Sequence, residues 1–288
     1  GGGSEGKSPP SNAKILVLPG FGNDRVDYFL PDAIEGSIVE SLKQRGWNDN
    51  QIGVLPVARS DWLQVFSRGA LDLKFWGNEA APIRPAFRWY LDLVAQEVEN
   101  LAGDGSTEDT RVILLGHSAG GWLARAALGY GSDKTSNGND EDDNDRQEFE
   151  MDLSKVMGLV TLGTPHFPPP PTVMDMTRGA LRLTHETYPD DFHAPDLFYI
   201  TVMGEAVQGA KQEGQKPWEP TSVAGFAYNS YEAVCGGMYS IVQPSAISLS
   251  IHLINVLSFN QLNLFQMEPP RGMVSFLFAL DIWMGRKK

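Results

Sequence analysis

Arg111-Val-Ile-Leu-Leu-Gly-His-Ser-Ala-Gly-Gly-Trp-Leu-Ala-Arg-Ala-Ala-Leu128 is the stretch from which the rest of the chain can be read. Val112 to Leu115 form an apolar run that reads as a buried strand, and Leu123, Ala127 and Leu128 fall on one face of a helix. Between them stands Gly116-x-Ser118-x-Gly120. A strand, a sharp turn and a helix in that order hold a serine in a strained conformation with its hydroxyl above the sheet. The turn needs small neighbours, here Gly116 and Gly120, so that helix and strand can approach. A helix-capping serine would explain Ser118 but not both glycines.

Composition bounds the rest. The 288 residues, 42% hydrophobic, can bury a large core as one domain or as a domain with an inserted cap. A net charge of −13 argues against a nucleic-acid partner, since no basic face offsets the acids. One cysteine, Cys235, excludes an internal disulfide framework. No pair of histidines has metal-ligand spacing, so neither metal nor cofactor is expected. Residues 1–12 are Gly/Ser/Pro-rich and read as a flexible leader outside the fold, leaving 13–288 as the folded domain. No run of about 18 apolar residues is available to span a bilayer.

The first element, Lys14-Ile-Leu-Val-Leu-Pro-Gly-Phe-Gly-Asn23, reads as a buried strand ending in a tight loop. Beside a nucleophilic serine, such a loop presents a backbone amide toward the carbonyl under attack. Phe21 is the expected donor and Ala119 the second, an oxyanion hole. An amphipathic helix is expected near 34–46, a strand at 52–57, an irregular Trp-rich segment over 61–81, and a long helix opened by Pro85 and ended by Gly103. Strand and helix alternate, which predicts an α/β fold with a mostly parallel central sheet and helices on both faces. Residues 131–150 hold eight acids and two bases and read as a solvated acidic loop. Further strands are expected at 156–162, 198–203 and from Tyr231.

Pro-Gly-Phe-Gly, Gly-His-Ser-Ala-Gly-Gly and Leu-Gly-Thr-Pro-His166 occur in the order used by α/β-hydrolases of the lipase and esterase kind, which the chain resembles. More narrowly, Arg88-Trp-Tyr-Leu-Asp-Leu-Val, Pro168-Pro-Pro-Pro and Met174-Asp-Met-Thr-Arg-Gly-Ala-Leu are similar to plant and algal, often plastid-directed, hydrolases related to the inositol deacylase that trims lipid anchors. The resemblance covers residues 13 to 235. It implies the α/β-hydrolase fold, a cap-like insertion over 167–230, a serine esterase or lipase acting on a small-molecule or lipid ester, and a soluble intracellular, plastid location.

One part of the pattern is missing. Related hydrolases place their acid in a Gly-Asp-Gly-Val-Val-Pro type segment; here the corresponding stretch is Cys235-Gly-Gly-Met-Tyr-Ser-Ile-Val-Gln-Pro-Ser-Ala246. No Asp or Glu occurs from Ala233 to Met267. With chain order serine, acid, histidine, the remaining candidates are Glu205 as acid and His252 as base. The alternation Ile247-Ser-Leu-Ser-Ile-His-Leu253 equally reads as a half-buried strand carrying a solvated histidine. His185 and His193 read as surface residues. From 245 to 288 the family pattern is lost and the chain becomes apolar and charge-poor, compatible with contact at a membrane surface.

Two functions follow. One is a serine hydrolase acting on carboxylic esters through Ser118. The other is a catalytically impaired α/β-hydrolase-fold binding protein or defective copy, turning over esters slowly or not at all. The aromatics Phe21, Trp62, Phe66, Phe75 and Trp76 are expected to supply an apolar acyl pocket.

Overall fold

The computed structural model describes residues 9–29, 37–103, 110–132, 149–169, 175–189, 192–193 and 196–204, with the backbone of 249–252. Glu205, Cys235, the strand expected from Tyr231 and nearly all of the acidic loop lie outside these residues.

Six strands form one sheet: β1 (Ala13–Leu18), β2 (Ile52–Val54), β3 (Arg111–His117), β4 (Val156–Leu162), β5 (Phe198–Gly204) and β6 (Leu249–His252), in spatial order β2-β1-β3-β4-β5-β6. The first five are parallel; β6 pairs antiparallel to β5. This is the mostly parallel sheet of an α/β-hydrolase fold. β3 lies between β1 and β4, so the serine that follows it leaves the sheet from a central strand.

Alternation along the strands divides the core between two faces. Leu16, Leu18, Val112, Leu114 and Leu159 meet the long helix α4 (Pro85–Ala102) and α5 (Ala119–Ser132). Ile15, Val17, Ile113, Leu115 and Val160 meet α1 (Ile38–Lys43) through Val39 and Leu42. α4 keeps the bounds read from its sequence: Pro85 sits at its first turn, Gly103 ends it at φ 78°, and Phe87, Tyr90, Leu91, Val94 and Val98 form its buried face.

Two expectations change. The Trp-rich stretch 61–81 is not irregular but holds two short helices, α2 (Leu63–Gly69) and α3 (Leu73–Trp76). The apolar residues of this stretch point both ways: Trp62, Val65 and Phe75 inward, Leu63, Phe66, Leu71, Leu73 and Trp76 outward. A single buried face, which periodicity would detect, is absent. The range 167–230 also divides, because β5 lies in the sheet. Among the described residues of this range, α6 (Ala180–Thr187) precedes β5.

Candidate functional site

Ser118 follows β3 with φ 51°, left-handed backbone that a non-glycine residue avoids at a cost of about 1–3 kcal/mol. Its surroundings hold it there. The Ser118 N–H donates to the Leu162 carbonyl at 2.9 Å, and its own carbonyl accepts from the Thr164 hydroxyl at 2.9 Å and the Gly121 N–H at 3.1 Å. The end of β4 and the loop after it therefore clamp this strand–turn–helix, the elbow that carries Ser118, from the side.

The glycines are needed for close approach. A Cβ on Gly116 would stand 2.4 Å from Gly121 Cα, and one on Gly120 would stand 2.3 Å from the Leu18 carbonyl oxygen. Both obstacles are backbone, which cannot yield locally. The elbow thus fits because the helix rests directly on β1 and β3.

The second wall is the loop after β1. Tyr28, at the end of a short 3₁₀ turn (Arg25–Tyr28), is 4% exposed and reaches three partners: Gly20 N at 2.9 Å, Asn23 Nδ2 at 3.0 Å and His117 Nδ1 at 2.8 Å. The first two can only donate. They occupy the lone pairs of the phenol oxygen, so its one proton goes to His117 Nδ1. His117 is then a neutral ring with its proton on Nε2, in keeping with burial, which lowers its pKa. Burial likewise raises the pKa of the Tyr28 hydroxyl. Tyr90 Oη donates to the Pro19 carbonyl at 2.8 Å, and Trp62 Nε1 to the Asn23 carbonyl at 3.0 Å. Side chains from three other elements thus fix Pro19 to Asn23 against the elbow.

Between these walls lies a cavity of about 220 Å³, lined by Ser118, Ala119, Phe21 and Trp62, by Phe87, Trp122, Leu123 and Leu181, and by Pro165, Pro169 and residues 175–177. The Ser118 hydroxyl has no hydrogen-bond partner among the described residues, and the Phe21 and Ala119 amides donate to none of them. Of the aromatics expected in an acyl pocket, Phe21 and Trp62 line it. Phe66 and Trp76 are exposed instead, and Phe75 is buried against Gly69. Phe87 and Trp122 take their place, packed ring to ring at 5.3 Å. Trp122 could have been found from its position one helical turn past the serine; Phe87 and Leu181 come from distant helices and carry no local signal.

Asp175 is the one carboxylate in this lining. Its oxygens accept from Thr177 N at 2.7 Å, Thr177 Oγ1 at 2.6 Å and Gly179 N at 2.8 Å. They are spent on shaping the turn into α6 rather than on a histidine.

No described imidazole hydrogen-bonds Ser118. His166 is held between Arg125 Nη1 at 3.4 Å from its Nδ1 and the Thr161 hydroxyl at 3.1 Å from its Nε2. Burial first, then the Arg125 guanidinium and His185, lower its pKa to about 3. His185 and His193, expected at the surface, are half-buried; His185 stacks edge-on with Phe167 at 4.7 Å. His252 pairs in register with Thr201, which pairs with Thr161, which pairs with Gly116. That row puts the His252 backbone three strand spacings, about 14 Å, from β3. Among the described residues no cluster of His, Cys, Asp and Glu could hold a metal ion. No described helix is long and apolar enough to cross a membrane.

Residues 88–188 match the family model of the PGAP1-like alpha/beta domain, a span that begins in α4, contains the whole elbow and ends just after α6. The match supports the α/β-hydrolase-like superfamily and the similarity to the inositol deacylase family. No curated protein matches the chain.

Proposed function

We propose that the chain is a serine hydrolase of carboxylic esters with Ser118 as nucleophile and the Phe21 and Ala119 amides as oxyanion donors. The supporting observation is a strained serine whose unbonded hydroxyl lines an apolar cavity together with two residues whose amides are unbonded. The Ser118 oxygen attacks the ester carbonyl while a base takes its proton. The two amides hold the negative oxygen of the tetrahedral intermediate; the alcohol leaves with that proton, and water releases the acid from acyl-Ser118.

The walls select the acyl group. Phe21, Trp62, Phe87, Trp122 and Leu123 offer an apolar acid only dispersion and burial, worth roughly 0.8 kcal/mol per buried CH₂. A medium acyl chain is therefore preferred over acetyl, and a lipid ester is the substrate class proposed. A plastid location is carried by the family resemblance and is tested by imaging the full-length chain in cells.

Sequence order offers His252 as base and Glu205 as its acid. The spacing in the sheet separates His252 from the elbow, so an unchanged rate in His252→Ala is the result that assigns the base elsewhere. Comparison of p-nitrophenyl acetate and octanoate hydrolysis by wild type and Ser118→Ala tests the whole proposal. The octanoate rate should be the higher and should fall at least a hundredfold in the variant; equal rates in the two proteins would reject Ser118 as nucleophile.

The stretch Ala233 to Met267, which holds no Asp or Glu, favours a second reading, a hydrolase fold that binds an ester or lipid without turning it over. Its signature is saturable binding of an octanoyl ester with no release of alcohol.

A further inference from the structure

The helical pair α2–α3 turns an apolar face outward. Leu71 and Leu73 are 90% and 88% exposed, Leu63 67%, Trp76 60% and Phe66 42%. These residues belong to one segment of fourteen, on two short helices joined by a tight turn. No described residue covers them.

The face is rigid. Trp76 Nε1 donates to the Ala70 carbonyl at 3.0 Å, and its ring meets the buried Phe75 edge-on at 5.9 Å. Phe75 is in turn pinned by Gly69 beneath it and the Arg178 guanidinium 5.5 Å above its ring. The indole thus presents its apolar surface to solvent with its one polar group already satisfied.

Charge identifies what it meets. The only acid between Leu63 and Trp76 is Asp72, which is buried, bonded to Lys74 N and 3.6 Å from Arg84. Arg68 and Lys74 are exposed and form no ion pair with a described residue. In a chain of net charge −13, what this segment shows to solvent is apolar and cationic.

The face also reaches the cavity. Phe21 lines the cavity and packs on Trp62 at 5.1 Å and on Phe66 at 6.4 Å; Met176, another lining residue, is half exposed. An aromatic and aliphatic surface that carries the exposed cations Arg68 and Lys74 and adjoins an apolar cavity has the chemistry of an interfacial anchor.

We propose that the α2–α3 face docks on a lipid surface bearing anionic headgroups, with Leu71, Leu73 and Trp76 entering the headgroup–acyl boundary and Arg68 and Lys74 pairing with phosphates. Docking does not depend on turnover at Ser118. It brings the cavity mouth beside Phe21 against the lipid.

Flotation of the full chain with vesicles of phosphatidylcholine, with and without phosphatidylglycerol, tests the docking. The wild type should float with the anionic vesicles and be released by salt. Leu71→Glu/Leu73→Glu should lose at least about a hundredfold in partitioning, tenfold or more for each buried leucine, while its thermal unfolding and hydrolysis of a soluble ester stay unchanged. Arg68→Glu/Lys74→Glu should lose the preference for phosphatidylglycerol. Ser118→Ala should float like wild type, which separates failure of docking from failure of the hydrolase proposal. Three results overturn the proposal. One is no flotation of the wild type; another is equal flotation of Leu71→Glu/Leu73→Glu. The third is a wild-type dimer that these substitutions convert to monomer, which would assign the face to a second copy of the chain.

Discussion

Tyr28→Phe removes one oxygen and leaves the ring in place, and it isolates what holds the loop after β1. In the folded protein that oxygen takes the Gly20 N–H and one Asn23 N–H and gives its proton to His117 Nδ1. The Gly20 contact is buried, so its amide would lose its partner without gaining water. One unsatisfied buried donor costs about 1–3 kcal/mol. Asn23 and the His117 edge are part-buried and can recover partners from solvent, so a total of about 2–3 kcal/mol is expected. For a domain of this size that corresponds to a drop in melting temperature of roughly 4–12 °C. Gly20 precedes the proposed oxyanion donor Phe21. A loop released by even 1 Å loses up to about a hundredfold in rate through misplacement. The kcat for octanoyl ester should therefore fall tenfold to a hundredfold, with KM raised by a smaller factor, because Phe21 is one wall of the cavity while Trp62, Phe87 and Trp122 still line the rest. Differential scanning fluorimetry and steady-state kinetics on the same preparation read both numbers. A variant with wild-type melting temperature and wild-type kcat would show that this hydroxyl does not hold the loop.

Gly120→Ala places a methyl 2.3 Å from the Leu18 carbonyl oxygen, so it should cost about 3 kcal/mol or more and appear as loss of soluble protein or a lowered urea midpoint. Gly22→Ala, with open space around it but φ 77°, should cost only about 1 kcal/mol in the same assay. His166 stays neutral when folded, with pKa lowered from 6.5 to about 3, so the unfolded chain binds the extra proton between those values. Its contribution is complete above pH 6.5 and declines as pH falls, by at most about 1.4 kcal/mol per pH unit. Urea unfolding at pH 6.5 and pH 5 should show about 1.6 kcal/mol more loss in wild type than in His166→Asn; parallel losses would mean that His166 is not the group responsible.

Much of the fold was legible because the decisive signals are local. Val112 to Leu115, the glycines around Ser118 and the Pro85-to-Gly103 helix each occupy one short stretch whose periodicity or backbone demand depends on neighbours in sequence. The cavity was only partly legible, since its walls are assembled across the sheet. Phe21 and Trp122 adjoin the motifs, but Leu181 lies in α6 and Phe87 in α4. The Tyr28–His117 bond joins residues 89 apart and has no sequence signature. The α2–α3 segment carries no helical signal because its large side chains are divided between core and solvent, Phe75 inward and Phe66 and Trp76 outward. Its exposed leucines then became evidence of a different kind, about a surface rather than a core.

The most direct test of Ser118 as an activated nucleophile is covalent. The folded chain is incubated with a fluorophosphonate, digested, and the modified peptide located by mass spectrometry. The reagent's phosphorus should be found on Ser118 Oγ with fluoride released, and urea-unfolded chain should remain unmodified. Labelling of another residue, or equal labelling of folded and unfolded chain, would contradict the assignment of Ser118 as the activated nucleophile.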